Sequence, residues 1–273
     1  MILTRAGKSA VIDQLFSQVV AYYQFRVPYP PEAFEYMRDQ CRLDKRSRVL
    51  DLGSGPGTVA IPMARMAGSV VALDPCQAMI DAGFAHARAA GLDNIEWLCL
   101  RAEDIGEELG QFDAATIGQA FHWMERDQVL QKLARMLEPQ RGALILINPG
   151  KRRPQESWDA IANRVIDRYL GVRHRHVSMH AEAEHEPALR RSVVFDRFTA
   201  REFAMGIDRD VHSIIGYVYS LSTSPRSAFG DRAPQFEQEL TRALLAASPS
   251  GTFTERVETE VLIATAHAAG KVA

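Results

Sequence analysis

Short apolar runs alternate with helical patterns through the middle of the chain, between residues 46 and 148. Runs of five or six apolar and β-branched residues are typical of strands covered on both faces, as in a parallel sheet. The predicted strands are 48–52 (RVLDL), 69–73 (SVVAL), 95–100 (IEWLCL), 112–117 (FDAATI) and 143–148 (ALILIN). Their alternation with helices indicates an α/β fold with a doubly wound, mostly parallel sheet.

Two helices between these strands have the clearest patterns. Residues 77–90 form one, and residues 127–137 (DQVLQKLARML) form the other, with apolar side chains at helical spacing. Asp127 is a candidate N-cap for the second helix, and Pro139 follows its end.

The flanking regions differ from this core. Residues 1–42 have a helical pattern broken by the turn VPYPP, and residues 150–195 are strongly charged and rich in histidine. After them the pattern predicts strands at 198–207 and 253–266 and helices at 211–221 and 234–247. We therefore predict an N-terminal helical lid (1–42), a ligand-binding core (43–149), an inserted helical lid or substrate segment (150–195) and a C-terminal part (196–273) that completes a seven-stranded sheet.

Composition narrows the class of partner. The 273 residues are 47% hydrophobic and 24% charged, with a formal net charge of −2, so the basic excess typical of nucleic-acid binding is absent. Three cysteines without C-x-x-C spacing argue against a disulfide framework or a zinc site. Neither a signal peptide nor an apolar run long enough for a membrane span is evident. We expect a cytoplasmic monomer or homodimer that binds a small molecule, without nucleic-acid or membrane partners.

The segment VLDLGSGPGT (49–58) predicts a strand followed by a ligand-binding turn. Gly53, Ser54 and Gly55 would let a ligand approach the backbone closely at a helix N-terminus. The third glycine comes one residue too early for the dinucleotide fingerprint G-x-G-x-x-G, and Thr58 stands where that motif has glycine. Asp51 beside the turn suits a ligand that carries an ammonium group.

A second acidic residue ends the next strand. Asp74, in VVALDP, comes 23 residues after Asp51. An ionised carboxylate at this place can accept hydrogen bonds from both hydroxyls of a ribose. The turn and this acid together predict a nucleoside-like ligand.

Further motifs extend the pattern along the chain. They are Met79, the segment Arg101–Asp104 (RAED), the segment Gln119–Trp123 (QAFHW) and the segment Tyr22–Pro30 (YYQFRVPYP). Together with the glycine turn they resemble the class I S-adenosylmethionine-dependent methyltransferases, in particular a small-molecule, natural-product branch. The resemblance covers about residues 16 to 148, and Val27 departs from it by replacing the first proline of the N-terminal motif.

The resemblance implies S-adenosylmethionine as cofactor and assigns roles to its contacts. Met79 would lie against the adenine, the backbone and acid of the RAED segment would reach the adenine amino group, Arg26 would hold the cofactor carboxylate and Tyr22 would wall the methyl group. The predicted cofactor-binding residues are Tyr22, Arg26, Gly53, Ser54, Gly55, Asp74, Pro75, Met79, Ala102, Glu103 and Gln119.

His122 is the candidate catalytic residue, with two interpretations open. An imidazole with a pKa of about 6.5 can take a proton from a hydroxyl at neutral pH. Alternatively, His122 and Trp123 only form a wall of the cofactor site. The predicted substrate-binding residues are Tyr22, His122, Trp123 and Tyr217.

The histidines between 174 and 185 match no metal-binding spacing, so no metal is predicted.

The leading functional hypothesis is methyl transfer to a small-molecule acceptor, at an oxygen. Three alternatives remain open: an S-adenosylmethionine-binding protein with a non-methylating or regulatory role, an NAD(P)-dependent oxidoreductase, and a tRNA or peptide methyltransferase. The glycine spacing disfavours the oxidoreductase.

Overall fold

A seven-stranded sheet forms the frame of the molecule. The computed structural model describes residues 13–149, 158–171, 185–192 and 194–265. Across the sheet the strands lie in the order β3-β2-β1-β4-β5-β7-β6. They are β1 (Arg48–Leu52), β2 (Ser69–Asp74), β3 (Ile95–Cys99), β4 (Ala114–Gly118), β5 (Ala143–Pro149), β6 (Arg197–Asp210) and β7 (Thr252–Thr265).

Strands β1 to β5 run parallel to one another, and β7 runs antiparallel to β5. The strand order reverses direction at β1, from which the chain continues to β2 and β3 on one side and then to β4 and β5 on the other. This arrangement confirms the predicted doubly wound, mostly parallel α/β sheet of seven strands.

All seven predicted strands are present, with ends that shift by up to three residues. The clearest difference at a start is in β4, which begins at Ala114 rather than at residue 112. Phe112 instead forms an isolated bridge with Leu137, so it pairs before the regular strand begins.

The described α-helices are α1 (Pro31–Cys41), α2 (Ala60–Ala64), α3 (Gln77–Ala89), α4 (Arg126–Met136), α5 (Trp158–Leu170), α6 (His185–Arg191), α7 (Val211–Ser220), α8 (Arg226–Phe229) and α9 (Ala233–Ala247). The four helices with predicted bounds, α3, α4, α7 and α9, begin and end within one residue of those bounds. The prediction of Asp127 as an N-cap was wrong, because Glu125 holds that position without a side-chain cap. Asp127 lies in the first turn, where its negative charge interacts favourably with the helix dipole.

The chain divides into two compact units. The sheet unit contains the described residues of 29–150, 181–203 and 259–273, and the aromatic unit contains those of 1–28, 151–180 and 204–258. The core of the aromatic unit includes Trp158, Tyr219, Phe229 and Phe236, all at most 2% exposed. The predicted lid function of the flanking segments stays a prediction.

In the sheet unit, successive residues of each central strand enter two different cores. Leu50 and Leu52 belong to one core, whereas Val49 belongs to the other. Both faces of the sheet are therefore covered, which is why these strands are almost unbroken apolar runs.

Trp97 of β3 packs against glycines of two neighbouring elements. A Cβ atom would come within 2.9 Å of the indole at Gly57 and within 2.4 Å of it at Gly83. Helix α3 can approach β3 this closely because residue 83 has no side chain.

Candidate cofactor site

The turn after β1 depends on glycine at its first position. Gly53 has φ +66°, a left-handed conformation that side-chain-bearing residues rarely adopt. A Cβ atom there would lie 2.4 Å from Cβ of Ala120. Gly55 and Gly57 also have positive φ, and the Ser54 N–H donates to Leu73 O at 3.0 Å. The predicted glycine turn is thus present and lies directly against the segment that follows β4.

Asp74 holds this turn from the end of β2. Its Oδ2 accepts from the Gly55 N–H at 3.0 Å, and its Oδ1 accepts from the Cys76 N–H at 2.9 Å. Each carboxylate oxygen can accept a second hydrogen bond. Pro75 follows at the same strand end, and Met79 lies buried in the first turn of α3. The predicted residues Gly55, Asp74, Pro75 and Met79 therefore converge at the carboxyl end of the sheet.

Asp51 is a fully buried acid on β1. Its Oδ1 accepts from the Thr116 hydroxyl at 2.7 Å, and its Oδ2 has no hydrogen-bond partner among the described residues. Burial raises the pKa of this carboxyl to about 7, against the opposing hydrogen bonds from Thr116 and the backbone of Ala60. A buried acceptor without a partner is costly unless a ligand supplies a donor.

Glu103 lies in a short 3₁₀ turn, Ala102–Asp104, and is 4% exposed. Its Oε2 binds Arg101 at 3.1 Å, and its Oε1 accepts from the Glu125 N–H at 2.9 Å. Burial acts to raise the pKa of Glu103, but the Glu125 N–H and the Arg101 guanidinium outweigh it and hold the pKa below its usual value. The predicted contact of Glu103 with the adenine stays a prediction.

Gln119, His122 and Trp123 lie just past β4. Gln119 has φ +51°, which is uncommon for a residue with a side chain and is a conformation found preferentially at functional sites. The 3₁₀ turn Phe121–Trp123 follows, with the His122 and Trp123 rings 5.4 Å apart. His122 is half-buried, and Trp123 is 37% exposed. The two interpretations of His122, base and wall, both stay predictions.

The remaining predicted residues, Tyr22, Arg26 and Tyr217, belong to the aromatic unit. Arg26 Nη2 donates to Ser220 O at 2.7 Å, and the Tyr22 ring packs edge-on against Tyr219 at 5.3 Å. Tyr217 packs against Trp158 at 5.4 Å. Their contacts with cofactor and acceptor stay predictions.

Two polar residues that the sequence analysis did not single out have notable surroundings. Thr116 is the partner of Asp51, and the β1–β4 pairing places it directly opposite that residue. The predicted doubly wound sheet contains this signal, because the first and fourth strands are neighbours in sheets of that kind. Arg209 is 4% exposed in the aromatic unit, where it pairs with Glu255. The sequence of β6 around Arg209 gives no sign that a charged side chain is buried there.

Neither a membrane-spanning helix nor a metal-binding cluster is present within the described ranges. No helix there is long and apolar enough to cross a membrane. No group of three or more His, Cys, Asp or Glu residues in the same ranges could hold a metal ion. His174, His176 and His180 lie outside the described residues.

Comparison with known proteins agrees with this geometry. The methyltransferase-domain family matches residues 49–140. An uncharacterised methyltransferase of Mycobacterium bovis is 35% identical over 123 residues, which cover 45% of this chain and 47% of that protein. The chain thus matches about half the length of this relative.

Two solved structures share the fold across nearly the whole chain. One is a methyltransferase of Thiobacillus denitrificans in complex with S-adenosylhomocysteine, with a TM-score of 0.54 and 16% identity over 98% of this chain and 100% of that one. The other is the [4+2]-cyclase SpnF, with a TM-score of 0.57 and 15% identity over 96% and 97% of the two chains. At these identities the similarity establishes the fold.

The chain therefore has the fold of the class I S-adenosylmethionine-dependent methyltransferases. Residues 49–140, which contain the glycine turn, Asp74 and the segment after β4, match the methyltransferase-domain family. The predicted methyltransferase fold is confirmed.

Proposed function

We propose that this protein transfers the methyl group of S-adenosylmethionine to a small-molecule acceptor, at an oxygen atom. The observation that carries the proposal is the pair of buried acids beside the glycine turn. Asp74 fixes the turn through Gly55, and Asp51 presents a carboxylate oxygen without a partner among the described residues. A ligand with ribose hydroxyls and an ammonium group supplies donors to both.

The residues of the sheet unit fit this cofactor chemically. Burial raises the pKa of the Asp51 carboxyl to about 7. A neighbouring ammonium favours the ionised form of this carboxyl. Asp74 accepts from the ribose, Met79 contacts the adenine, and the Ala102 backbone lies beside it. Gly53 and Ser54 let the cofactor approach the backbone of the turn.

The bound cofactor supplies an electrophilic methyl group on a sulfonium. The chain then needs to hold the acceptor oxygen in line with that methyl group and to remove its proton. Alignment of this kind contributes about 7–11 kcal/mol in well-oriented pairs. Within the sheet unit, Trp123 contacts the acceptor, Gln119 contacts the cofactor and His122 accepts the proton.

The proposal of a small acceptor is supported by charge. The formal net charge of −2 offers no general attraction for a polyanion. None of the three cysteines, Cys41, Cys76 and Cys99, forms a disulfide, which supports a cytoplasmic location. We further propose a monomer or homodimer, which sedimentation of the purified chain tests directly.

Cofactor binding is tested by calorimetry with S-adenosylhomocysteine on wild type, Asp74→Ala and Asp93→Asn. We expect Asp74→Ala to lose about 1.5–3 kcal/mol of binding free energy, or roughly 10- to 150-fold in affinity, because hydrogen bonds to a charged acceptor are lost. Asp93→Asn, an exposed loop change, serves as the matched control. Equal affinity of all three proteins contradicts the ribose assignment.

The role of His122 is tested by transfer of a labelled methyl group to a panel of phenols, carboxylic acids and aliphatic alcohols. We compare His122→Ala with His122→Gln, which keeps a side chain of similar size. A general base contributes about 10²- to 10⁴-fold, so both variants then lose activity and recover part of it at high pH. If His122 only forms a wall, His122→Gln retains activity.

A second candidate function is cofactor binding without methyl transfer. This candidate is supported by the fold that the chain shares with the [4+2]-cyclase SpnF, because that neighbour is named for a reaction other than methyl transfer. Tight binding of S-adenosylhomocysteine, together with an unconsumed cofactor across the whole acceptor panel, supports this candidate over the first.

A further inference from the structure

We propose that Glu103 is a positioning residue that holds the segment after β4 over the glycine turn, rather than a direct ligand of the adenine. The inference rests on the proposed function, since it concerns the same cofactor site. Glu103 joins the loop after β3 to the loop after β4, two strands that are separated in the sheet by β2 and β1.

The carboxylate of Glu103 connects these loops. Oε1 accepts from the Glu125 N–H at 2.9 Å, just before α4 begins, and Oε2 accepts from Nε and Nη2 of Arg101, both at 3.1 Å. These bonds occupy both acceptor positions of Oε2 and one of Oε1. Because the side chain is only 5% exposed, it has little surface left for a ligand.

Two side chains of α4 reinforce the connection from the other direction. Gln128 Nε2 donates to Glu103 O at 3.1 Å, and Lys132 Nζ donates to Ile105 O at 2.6 Å. We call the five residues Arg101, Glu103, Glu125, Gln128 and Lys132 the latch. Since its members take up both side-chain and backbone acceptors, the latch fixes the start of α4 to the turn after β3.

The segment between β4 and the latch, residues 119–125, is the part of the site that this connection controls. At its start, Gln119 has φ +51° and its N–H donates to Ile147 O at 3.3 Å. In its middle, Ala120 and Met124 pack against Gly53 so closely that a Cβ atom at residue 53 would lie 2.4 Å and 3.4 Å from them.

A strained conformation such as that of Gln119 persists only where the surrounding structure over-determines it. The latch supplies that restraint at the far end of the segment. It therefore sets the position of Gln119, His122 and Trp123 relative to the glycine turn.

The experiment compares Glu103→Ala and Glu103→Gln with Glu107→Gln, an exposed acid four residues further on. We measure S-adenosylhomocysteine affinity by calorimetry, global unfolding by urea, and hydrogen exchange of the 119–124 backbone amides. We expect affinity to fall more than tenfold in Glu103→Ala and about threefold in Glu103→Gln, which keeps an acceptor for the Glu125 N–H. Exchange of 119–124 should rise in the same order, with Glu107→Gln like wild type.

A second ligand separates positioning from direct contact. S-inosylhomocysteine lacks the adenine amino group, so its affinity relative to S-adenosylhomocysteine measures recognition of that group. If Glu103 is a positioning residue, this ratio is the same in wild type and Glu103→Gln within about twofold, as expected of independent changes. A ratio that approaches one only in the variant means direct contact and overturns the proposal.

Two other outcomes have separate meanings. Unchanged exchange of 119–124 in Glu103→Ala overturns the latch whatever the affinities are. If wild type fails to bind S-adenosylhomocysteine, the proposed function fails, while the exchange measurement on the unliganded proteins still decides whether Glu103 restrains the segment.

Discussion

The two units of the chain satisfy their buried charges in different ways. In the sheet unit the buried charged groups include acids, Asp51, Asp74 and Glu103, and backbone N–H groups and hydroxyls are prominent among their partners. In the aromatic unit the buried charged groups include Arg209, which pairs with Glu255, lies with its guanidinium 4.8 Å from the Tyr217 ring centre and donates to Phe25 O. Acids suit a ligand with hydroxyl and ammonium donors, whereas arginines suit acceptor groups.

The contrast also shows how each unit is assembled. The acids of the sheet unit lie near the carboxyl ends of three consecutive strands, β1, β2 and β3, so they form a recognisable motif. Arg209 and Phe25 are 184 residues apart, and no local pattern connects them. The arginine of the aromatic unit is therefore invisible to motif analysis, although its surroundings are as specific.

The largest effect that we expect is a loss of unfolding free energy when Arg209 of the aromatic unit is replaced. Arg209→Met leaves Glu255 buried without its partner at 2.5 Å, and breaking a buried pair in this way costs about 3–5 kcal/mol. The free energy of unfolding is measured with urea. Arg256→Met, at an exposed pair, is the control, and the double variant Arg209→Met/Glu255→Met should recover most of the loss. An Arg209→Met loss no larger than that of the control removes the contrast between the units.

A smaller effect is expected at the glycine turn of the sheet unit. Gly53→Ala and Gly91→Ala both place a side chain at positive φ, which costs about 1–2 kcal/mol. Only at Gly53 does the new Cβ overlap a neighbour, Ala120, since nothing lies within 4 Å of the Cβ position at Gly91. Overpacking adds about 1–3 kcal/mol to Gly53→Ala. Thermal unfolding and S-adenosylhomocysteine binding should both be impaired more in Gly53→Ala; equal behaviour of the two variants would show that the close approach is relieved.

The smallest effect is the pH dependence of cofactor affinity through Asp51. The pKa of its carboxyl is about 7, so below that pH the proton must leave before the carboxylate can pair with an ammonium. Affinity for S-adenosylhomocysteine should fall by about tenfold per pH unit below 7, which is about 1.4 kcal/mol per unit. Asp51→Asn should bind weakly and without this slope, and Asp93→Asn should keep the wild-type profile. A flat wild-type profile between pH 5 and 7 argues against the pairing.

The Asp51 carboxyl makes the stability of the unliganded protein depend on pH in the opposite direction from cofactor affinity. Between about pH 4 and pH 7 the folded chain keeps a proton on Asp51 that the unfolded chain releases, because the ordinary value is 3.8. This contribution to the free energy of unfolding therefore decreases as pH rises through that window. Asp51→Asn should remove the decrease and stabilise the unliganded protein at pH 8.

The sequence predicted the sheet and the acidic side of the site for a physical reason. Strands buried on both faces are apolar runs, and the carboxyl ends of parallel strands meet at one edge, so Gly53, Asp74 and Gln119 could be expected to converge. The Asp127 cap failed because the helix already begins at Arg126, which places Asp127 inside the first turn, and the residue type alone does not fix where a helix starts.

Other features were beyond sequence analysis because they depend on register and loop conformation. The bond between Thr116 and Asp51 follows from the β1–β4 register, and the positive φ of Gln119 belongs to the conformation of the loop after β4. The engagement of Glu103 by Arg101 and Glu125 needs two separate loops in place, the one after β3 and the one after β4. Motif similarity identified Glu103 as important, but not the groups it contacts.

The packing of Trp97 has a consequence for how this family can diverge. Its indole occupies the space that a side chain at residue 57 or 83 would need. At Gly57 the φ of +88° and the Ile61 side chain also resist a larger residue, whereas at Gly83 the three nearest atoms all belong to the tryptophan. Residues 83 and 97 should therefore change together among descendants of this chain, and a Trp97→Ala background should accept Gly83→Ala more readily than the native background does.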